Sequence, residues 1–312
     1  MNPFETYLLR NEYRKLAQLG DKLAKADQQV DWEVFRPIIK GLYTNDTIRG
    51  GRPNNDEIVM VKLLVLQQWY GLSDEETERQ AVDRLSFRRF LGYPERVPDS
   101  TTVWLFRERL AKTGKDKDIW TELSRQLDAK GLRVRKGVVQ DATFITSDPG
   151  HAPAEEPRGE EARTRRSTDG SWSVKGSRSY FGYKLHMKMD LDHGLIRCLE
   201  TTPANVHDSR VDLSEPGEVV YRDKGYPGAA PRGWDATMRR GARDHPLCIW
   251  DRLRNARISR KRCPGERPFA VIKRVFGAGH VLVTSVERVR VKMIFACLGF
   301  NLLQLGRLGV GG

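Results

Sequence analysis

Cysteine is scarce in this sequence and nowhere paired. Cys198, Cys248, Cys263 and Cys297 lie far apart with no C-x-x-C spacing, which argues against a zinc site or a disulfide framework and fits a reducing compartment. Long apolar runs are short in supply too. The longest, MIFACLGFNLLQL from Met293 to Leu305, is too short to span a bilayer, and the opening MNPFETYLLR lacks a cationic segment followed by an apolar one. The expectation is a soluble, cytoplasmic protein with no membrane partner. Acidic residues are the third shortfall: 54 Lys and Arg stand against 41 Asp and Glu, a formal net charge of +13 and a pI of about 9.7. That excess favours a polyanion as partner, nucleic acid first. At 312 residues the chain is longer than one ordinary domain, and two structural units are expected.

What is present begins with helices. From residue 1 to about 130, Leu8, Leu9, Leu16, Leu19 and Leu23 recur near the helix period, and a stronger run follows in DEIVMVKLLVLQQWY. Asn54, Asn55 or Asp56 can cap that run, and Gly71 closes it where a left-handed residue is wanted. Ser73 and Glu76 have capping-box spacing and open a helix to about Phe90, while Asp99 or Ser100 caps a third, TTVWLFRERL. Arg84, Arg88 and Arg89 with Arg107 and Arg109 then suggest a helix-turn-helix-like pair with a basic surface, or simply solvated faces.

Between Asp148 and Ser179 the composition turns to Gly, Pro, Ser and charge, so a floppy insertion is expected. Arg158, Arg163, Arg165 and Arg166 can grip phosphates there, but Glu155, Glu156, Glu160 and Glu161 offset them. Strands are expected on either side in GVVQDATFI and RSYFGYKLHMKMD, then in LIRCLET after an Asp and Gly turn at Asp190 and Asp192, and in EVVY. PLCIW reads as a fifth strand and DATMRRGAR as a short helix.

Asp141 sits inside one apolar strand and Asp223 ends another. An unpaired buried carboxylate costs several kcal/mol. Two of them about 4 Å apart, at an effective dielectric near 20, repel by on the order of 4 kcal/mol, which a divalent cation turns into attraction. Capping a helix or pairing with Lys224 is the plainer alternative. Glu266 stands at a helix start in RCPGERPFAVIKRVFG, with Arg262 four residues before it and Lys273 seven after. That series can bracket a metal with phosphate-binding cations, or merely complement a helix dipole.

From about residue 30 to 305 the ordered segments resemble a DDE transposase of the insertion-sequence IS5 group, within the IS4-like superfamily. The carrying pieces are GRPNNDEIVMVKLLVLQQWYGLSDEETERQAVDRLSFRRFLG, VPDSTTVWLFRERL, YFGYKLHMKMD, TTPANVHDS, YRDKGYPG and GERPFAVIKRVFG. The resemblance implies a fold of mixed α/β class (α+β): a helical DNA-binding and dimerising region over 1–130, then a ribonuclease-H-like core with flanking helices over 131–312, interrupted by the insertion at about 148–179. It implies Asp141, Asp223 and Glu266 as the catalytic, metal-holding triad, with two Mg²⁺ ions for which Mn²⁺ can substitute. Arg262 and Lys273 would anchor phosphates, following the family signature Y-(2)-R-(3)-E-(6)-K, although Ser259 stands where that signature has Tyr. Lys184, His186, Lys224, Arg107 and Arg109 are the further candidates for DNA contact, His186 otherwise being a structural side chain. The implied partners are double-stranded DNA, as terminal inverted repeats and target, and a second copy of the chain. A decayed, DNA-binding relative and a nuclease without strand transfer are the alternatives.

Overall fold

The computed structural model describes residues 3–43, 54–150, 169–226 and 228–309. The insertion's Arg158, Arg163, Arg165 and Arg166, with its four glutamates, lie outside the described residues. The amino-terminal part carries α1 (Pro3–Gln18), α2 (Lys22–Asp27), α3 (Arg36–Lys40), α4 (Glu57–Tyr70), α5 (Asp74–Asp83), α6 (Leu85–Phe90), α7 (Ser100–Thr113) and α8 (Lys115–Ala129). Caps stand where the side-chain chemistry demands. Asp56 accepts from the Ile58 and Val59 amides, Ser73 from Glu76 and Asp99 from Thr102. Gly71 ends α4 at φ 63°, its left-handed turn pressed so near the Phe276 carbonyl that a Cβ would lie 2.9 Å from that oxygen. The single helix expected to reach Phe90 is instead two, broken at an extended Arg84.

Among the described residues the sheet has seven strands: β1 (Val138–Ser147), β2 (Ser171–Lys175), β3 (Arg178–Asp190), β4 (Ile196–Pro203), β5 (Val219–Arg222), β6 (Trp234–Thr237) and β7 (His280–Val281). Its path runs β2-β3-β1-β5-β6, with β4 beside β3 and β7 beside β1. The long hairpin pairs are antiparallel, whereas β5 and β7 run parallel to β1, and β6 parallel to β5. Antiparallel meander first, parallel additions after, is the ordering of a ribonuclease-H-like core.

Three local expectations are corrected. PLCIW is no strand, because α9 (Ile249–Arg262) begins inside it; Ile249, Trp250 and Leu253 follow a helical spacing on its outer side. The chain just before it is no helix but the edge strand β6, whose four residues are too few for a two-residue period to show. Part of the Gly- and Ser-rich insertion is also ordered, since β2 pairs with β3 from Ser171↔Gly182 to Lys175↔Arg178.

After α9 come α10 (Glu266–Ala270), a π-helical turn over Val271–Val275 and the long α11 (Val286–Leu308). At 23 residues α11 is long and apolar enough by length and composition to cross a membrane, contrary to expectation, but 72% of its most apolar window is buried against the rest of the protein. It packs on α4, α7, α2 and α8 and on β4, so one buried cluster joins the amino-terminal helices to the sheet across residue 130. Asn301 fastens that junction: its fully buried amide accepts from the Ile196 N–H and donates to the Ile196 carbonyl, both at 2.8 Å.

Asn301→Ala would leave both backbone groups buried without partners, at about 1–3 kcal/mol each. Urea unfolding should therefore show a loss of about 2–5 kcal/mol, far above the cost of an exposed substitution.

Candidate active site

Alternation along β1 puts Val139, Asp141 and Thr143 on one face, across from Met187 and Leu185 in register. Gln140 and Ala142 point the other way, opposite Lys188 and His186. The parallel pairing of β1 with β5 joins Val138 to Val220 and Val139 to Tyr221. Continued past those pairs, the same offset, 220 − 138 = 82 residues, points from Asp141 to Asp223, the first residue after β5, and the charge of Asp223 acts on Asp141. Asp223 is held by its own turn, its Oδ1 accepting the Gly225 N–H at 2.7 Å.

The helical segment carrying Glu266 approaches the Asp141 face. Gly265 lies so close to β1 that a Cβ there would stand 2.8 Å from Val139 Cγ1, which is why a side-chain-free residue precedes Glu266. Four residues upstream, Arg262 Nη2 donates to Asp141 Oδ2 at 2.8 Å. Downstream, Lys273 Nζ donates to Thr143 Oγ1 at 3.2 Å. Glu266 is bracketed in sequence by two cations that touch neighbouring positions of one strand, and its own residue is exposed.

Burial raises the Asp141 carboxyl above its ordinary value; the charges of Asp223 and Asp208 act in the same sense, while Arg262 and the Ala142 amide oppose them. Burial, followed by repulsion from Lys175 and Arg274, lowers Lys273. In chemical type the oxygens of Asp141 and Asp223 fit a hard divalent ion. Among the described residues, however, no three His, Cys, Asp or Glu side chains gather closely enough to hold a metal. Arg262 supplies the balancing charge at Asp141.

The transposase domain families cover this arrangement. The Transposase DDE domain matches residues 128–302, and the Transposase domain (DUF772) matches residues 11–109. The chain belongs to the DDE transposase family. No solved structure matches it.

Several cations expected at the transposase's DNA are otherwise engaged. Arg107 is buried, with Nη1 and Nη2 on the two Asp74 oxygens at 2.7 and 2.9 Å, so it braces α7 against α5. Arg109 lies over the Tyr43 ring at 5.2 Å, Arg84 over Tyr70 and Phe87, and Arg89 over Tyr13. Arg88 reaches the Pro94 carbonyl. Of the five arginines, then, only Arg107 is withdrawn from the surface, while Arg84 is exposed and Arg88, Arg89 and Arg109 are half-buried; a one-dimensional pattern gives no sign of partners such as Asp74, 33 residues from Arg107. Lys184 is buried too, donating to Asp208 and to the Val206 carbonyl, both at 2.8 Å. His186 is fully buried and bonded to Thr202 Oγ1 at 2.9 Å, and both stand on the sheet face away from Asp141. Of these further candidates for DNA contact, Lys224 is exposed, in the turn after Asp223.

Helix α9 is not among the elements expected from the sequence. Asn255 and Ile258 bury its inner face, and Arg262 continues that face to Asp141. Arg252, Arg257, Arg260 and Lys261 are exposed on the outer side. Its density of cations was visible, but the strand assignment at its start hid the helix that orders them.

Burial pulls the His186 pKa down to about 4, with Lys184 adding to the fall and Asp208 opposing it. The folded protein therefore binds fewer protons at this site than the unfolded chain between the ordinary 6.5 and about 4. The stabilisation is complete above pH 6.5 and is lost as the pH falls through that window. Its full span is 2.5 units, on the order of 3 kcal/mol. His186→Gln should flatten the acid side of the stability profile, measured by urea unfolding between pH 7 and 5. An unchanged slope would refute the assignment.

Proposed function

We propose that this transposase is of the IS5 group, binds the terminal inverted repeats of its element as a homodimer, cleaves at the ends and joins the freed 3′-OH to target DNA. The observation that carries this reading is the closeness of Asp141, on β1, to Asp223, just past the end of the parallel strand β5, with Arg262 reaching Asp141 from the helix that leads to Glu266. In this reading residues 131–312 form the catalytic unit and the helical region 1–130 serves repeat binding and dimerisation.

In this reading Asp141, Asp223 and Glu266, which do not form a metal-holding group in the protein alone, would hold two Mg²⁺ ions, or Mn²⁺, whose chemistry is to make a nucleophile of water near neutral pH and to stabilise the leaving 3′ oxygen. The chain's own residues then divide the remaining work. The turn at Gly225 fixes the Asp223 carboxylate at the strand end. Arg262 meets the Asp141 charge in the protein alone; with that charge met otherwise, its fork is free for a phosphodiester. Lys273, lowered by burial yet only about half enclosed, is the second phosphate anchor, and Lys224 stands exposed beside the acids. The outer cations of α9 extend this basic surface away from the site.

Cleavage of duplex DNA carrying the element's own ends, with Mg²⁺ present, tests the catalytic reading. Asp141→Asn, Asp223→Asn and Glu266→Gln should each lower the rate by about 10³-fold, the loss of several kcal/mol of charge stabilisation, while DNA is still bound. Equal release of 3′ ends by parent and Asp223→Asn would end it. Release without joining to a second duplex would favour a nuclease.

Phosphate contact by the α9 surface has its own signature. Replacing Arg257, Arg260 and Lys261 together by Gln should reduce the slope of log affinity against log salt by about 2.7, at roughly 0.9 per phosphate contact. An unchanged slope would assign these three cations to the solvent.

A further inference from the structure

Arg222, immediately before Asp223, is fully buried at 0% exposure. Strand alternation sends it to the sheet face opposite Asp223, because β5 residues two apart share a face. There Nε donates to Thr237 Oγ1 at 3.0 Å and Nη2 to the Ala229 carbonyl at 2.5 Å. The nearest acid oxygen recorded for it is that of Asp235 at 3.6 Å, on a side chain 53% exposed. Nη1 has no hydrogen-bond partner. A guanidinium so enclosed and so thinly paired is unfavourable for folding alone.

Tyr226 covers it. Its ring stands 5.2 Å from the Arg222 guanidinium carbon, and the residue is 1% exposed. The backbone between them is the Asp223 turn, in which the Tyr226 N–H reaches back to the Asp223 carbonyl at 3.5 Å. The hydroxyl lies near the Gln140 amide, which itself donates to the Val211 carbonyl and accepts from the Leu213 N–H. The three residues between them, Asp223, Lys224 and Gly225, are thus bracketed by one cation–ring pair on the reverse side of the sheet.

We propose that Arg222 and Tyr226 are a positioning pair: their stack holds the Asp223 turn so that its carboxylate stays level with Asp141, at a spacing suited to a divalent cation. The proposal rests on the reading of Asp141 and Asp223 as metal-holding acids. It assigns the work to the ring and the guanidinium plane rather than to the phenol oxygen. A cation over an aromatic face needs no hydroxyl.

The test is Mn²⁺ titration of the full chain by electron paramagnetic resonance, beside DNA cleavage kinetics and thermal unfolding. Partners behind metal ligands set affinity by about 10- to 100-fold. Tyr226→Leu and Arg222→Met should therefore weaken Mn²⁺ binding by about that factor and reduce kcat with KM for DNA unchanged. Tyr226→Phe should restore both. Arg222→Lys, which keeps the charge but loses the plane, serves where Arg222→Met does not fold, and should resemble Tyr226→Leu. The proposal is overturned if the folded variants bind Mn²⁺ as the parent does, if their losses only follow a lowered Tm, or if Tyr226→Phe is as impaired as Tyr226→Leu. Asp223→Asn separates the two levels of argument. Undiminished Mn²⁺ binding by Asp223→Asn would overturn the metal reading itself, whereas its loss there and its retention in Tyr226→Leu would overturn only the positioning role.

Discussion

The ion pair between Asp141 and Arg262 is the contact on which the arrangement of the carboxy-terminal half turns. A carboxylate inside a sheet must meet positive charge, and no cation on β1 or β3 shares its face: the strand's opposite partner is Met187, and Lys184 and Lys188 lie behind. The balancing charge has to arrive from a separate element. Helix α9 supplies it from its last turn, and the chain then passes over Val139 at a glycine before α10 begins. The position of Glu266 follows from that crossing, since a bulkier residue at 265 would push the helix away from the strand.

The reverse face is built on the same electrostatic logic, with signs exchanged. Lys184 and Lys188 are buried there, and the segment after β4 brings Asp208 to the first and Glu215 and Glu218 to the second at 2.8–3.2 Å. Arg222 is the exception on that side, met mainly by neutral oxygens and an aromatic ring. Lysines inserted through a sheet and tied to one covering loop fix both the register of β3 and the path of the chain towards β5. That register in turn sets which residue of β5 comes level with Asp141. The acids in front thus depend on cations behind, through the backbone rather than through contact.

How much of this could be read in the sequence varies with the range of the interaction involved. Capping is local, and Asp56, Ser73, Asp99 and Gly71 all take the roles their neighbours imply. Strand alternation is local as well, so β1, β3, β4 and β5 were visible, and with them the odd placement of Asp141 and Asp223. Arg107 was misread because its partner Asp74 belongs to another helix, and an unpartnered arginine on a helix is indistinguishable in sequence from a solvated one. β6 was missed because a four-residue parallel edge strand is specified by its neighbour's register and not by any pattern of its own. His186 was legible as a polar-face residue, but whether that face met solvent or a covering loop depended on the chain 16 to 22 residues beyond it, from Thr202 to Asp208.

These partners also change where the basic excess can act. Among the amino-terminal arginines Arg107 is buried on Asp74, while Arg84, Arg88, Arg89 and Arg109 lean on rings and a carbonyl and keep part of their surface outward. Helix α9 differs in kind. Its buried face is set by Asn255, whose amide accepts from and donates to the Arg239 backbone at 2.9 Å, and by Ile258. With the helix phase fixed at those points, Arg262 must point inward to Asp141 while Arg252, Arg257, Arg260 and Lys261 face away. One rigid element therefore carries both the cation that balances the buried acid and a row of exposed cations. A polyanion lying along the outer row would be held at a fixed rotation relative to Asp141.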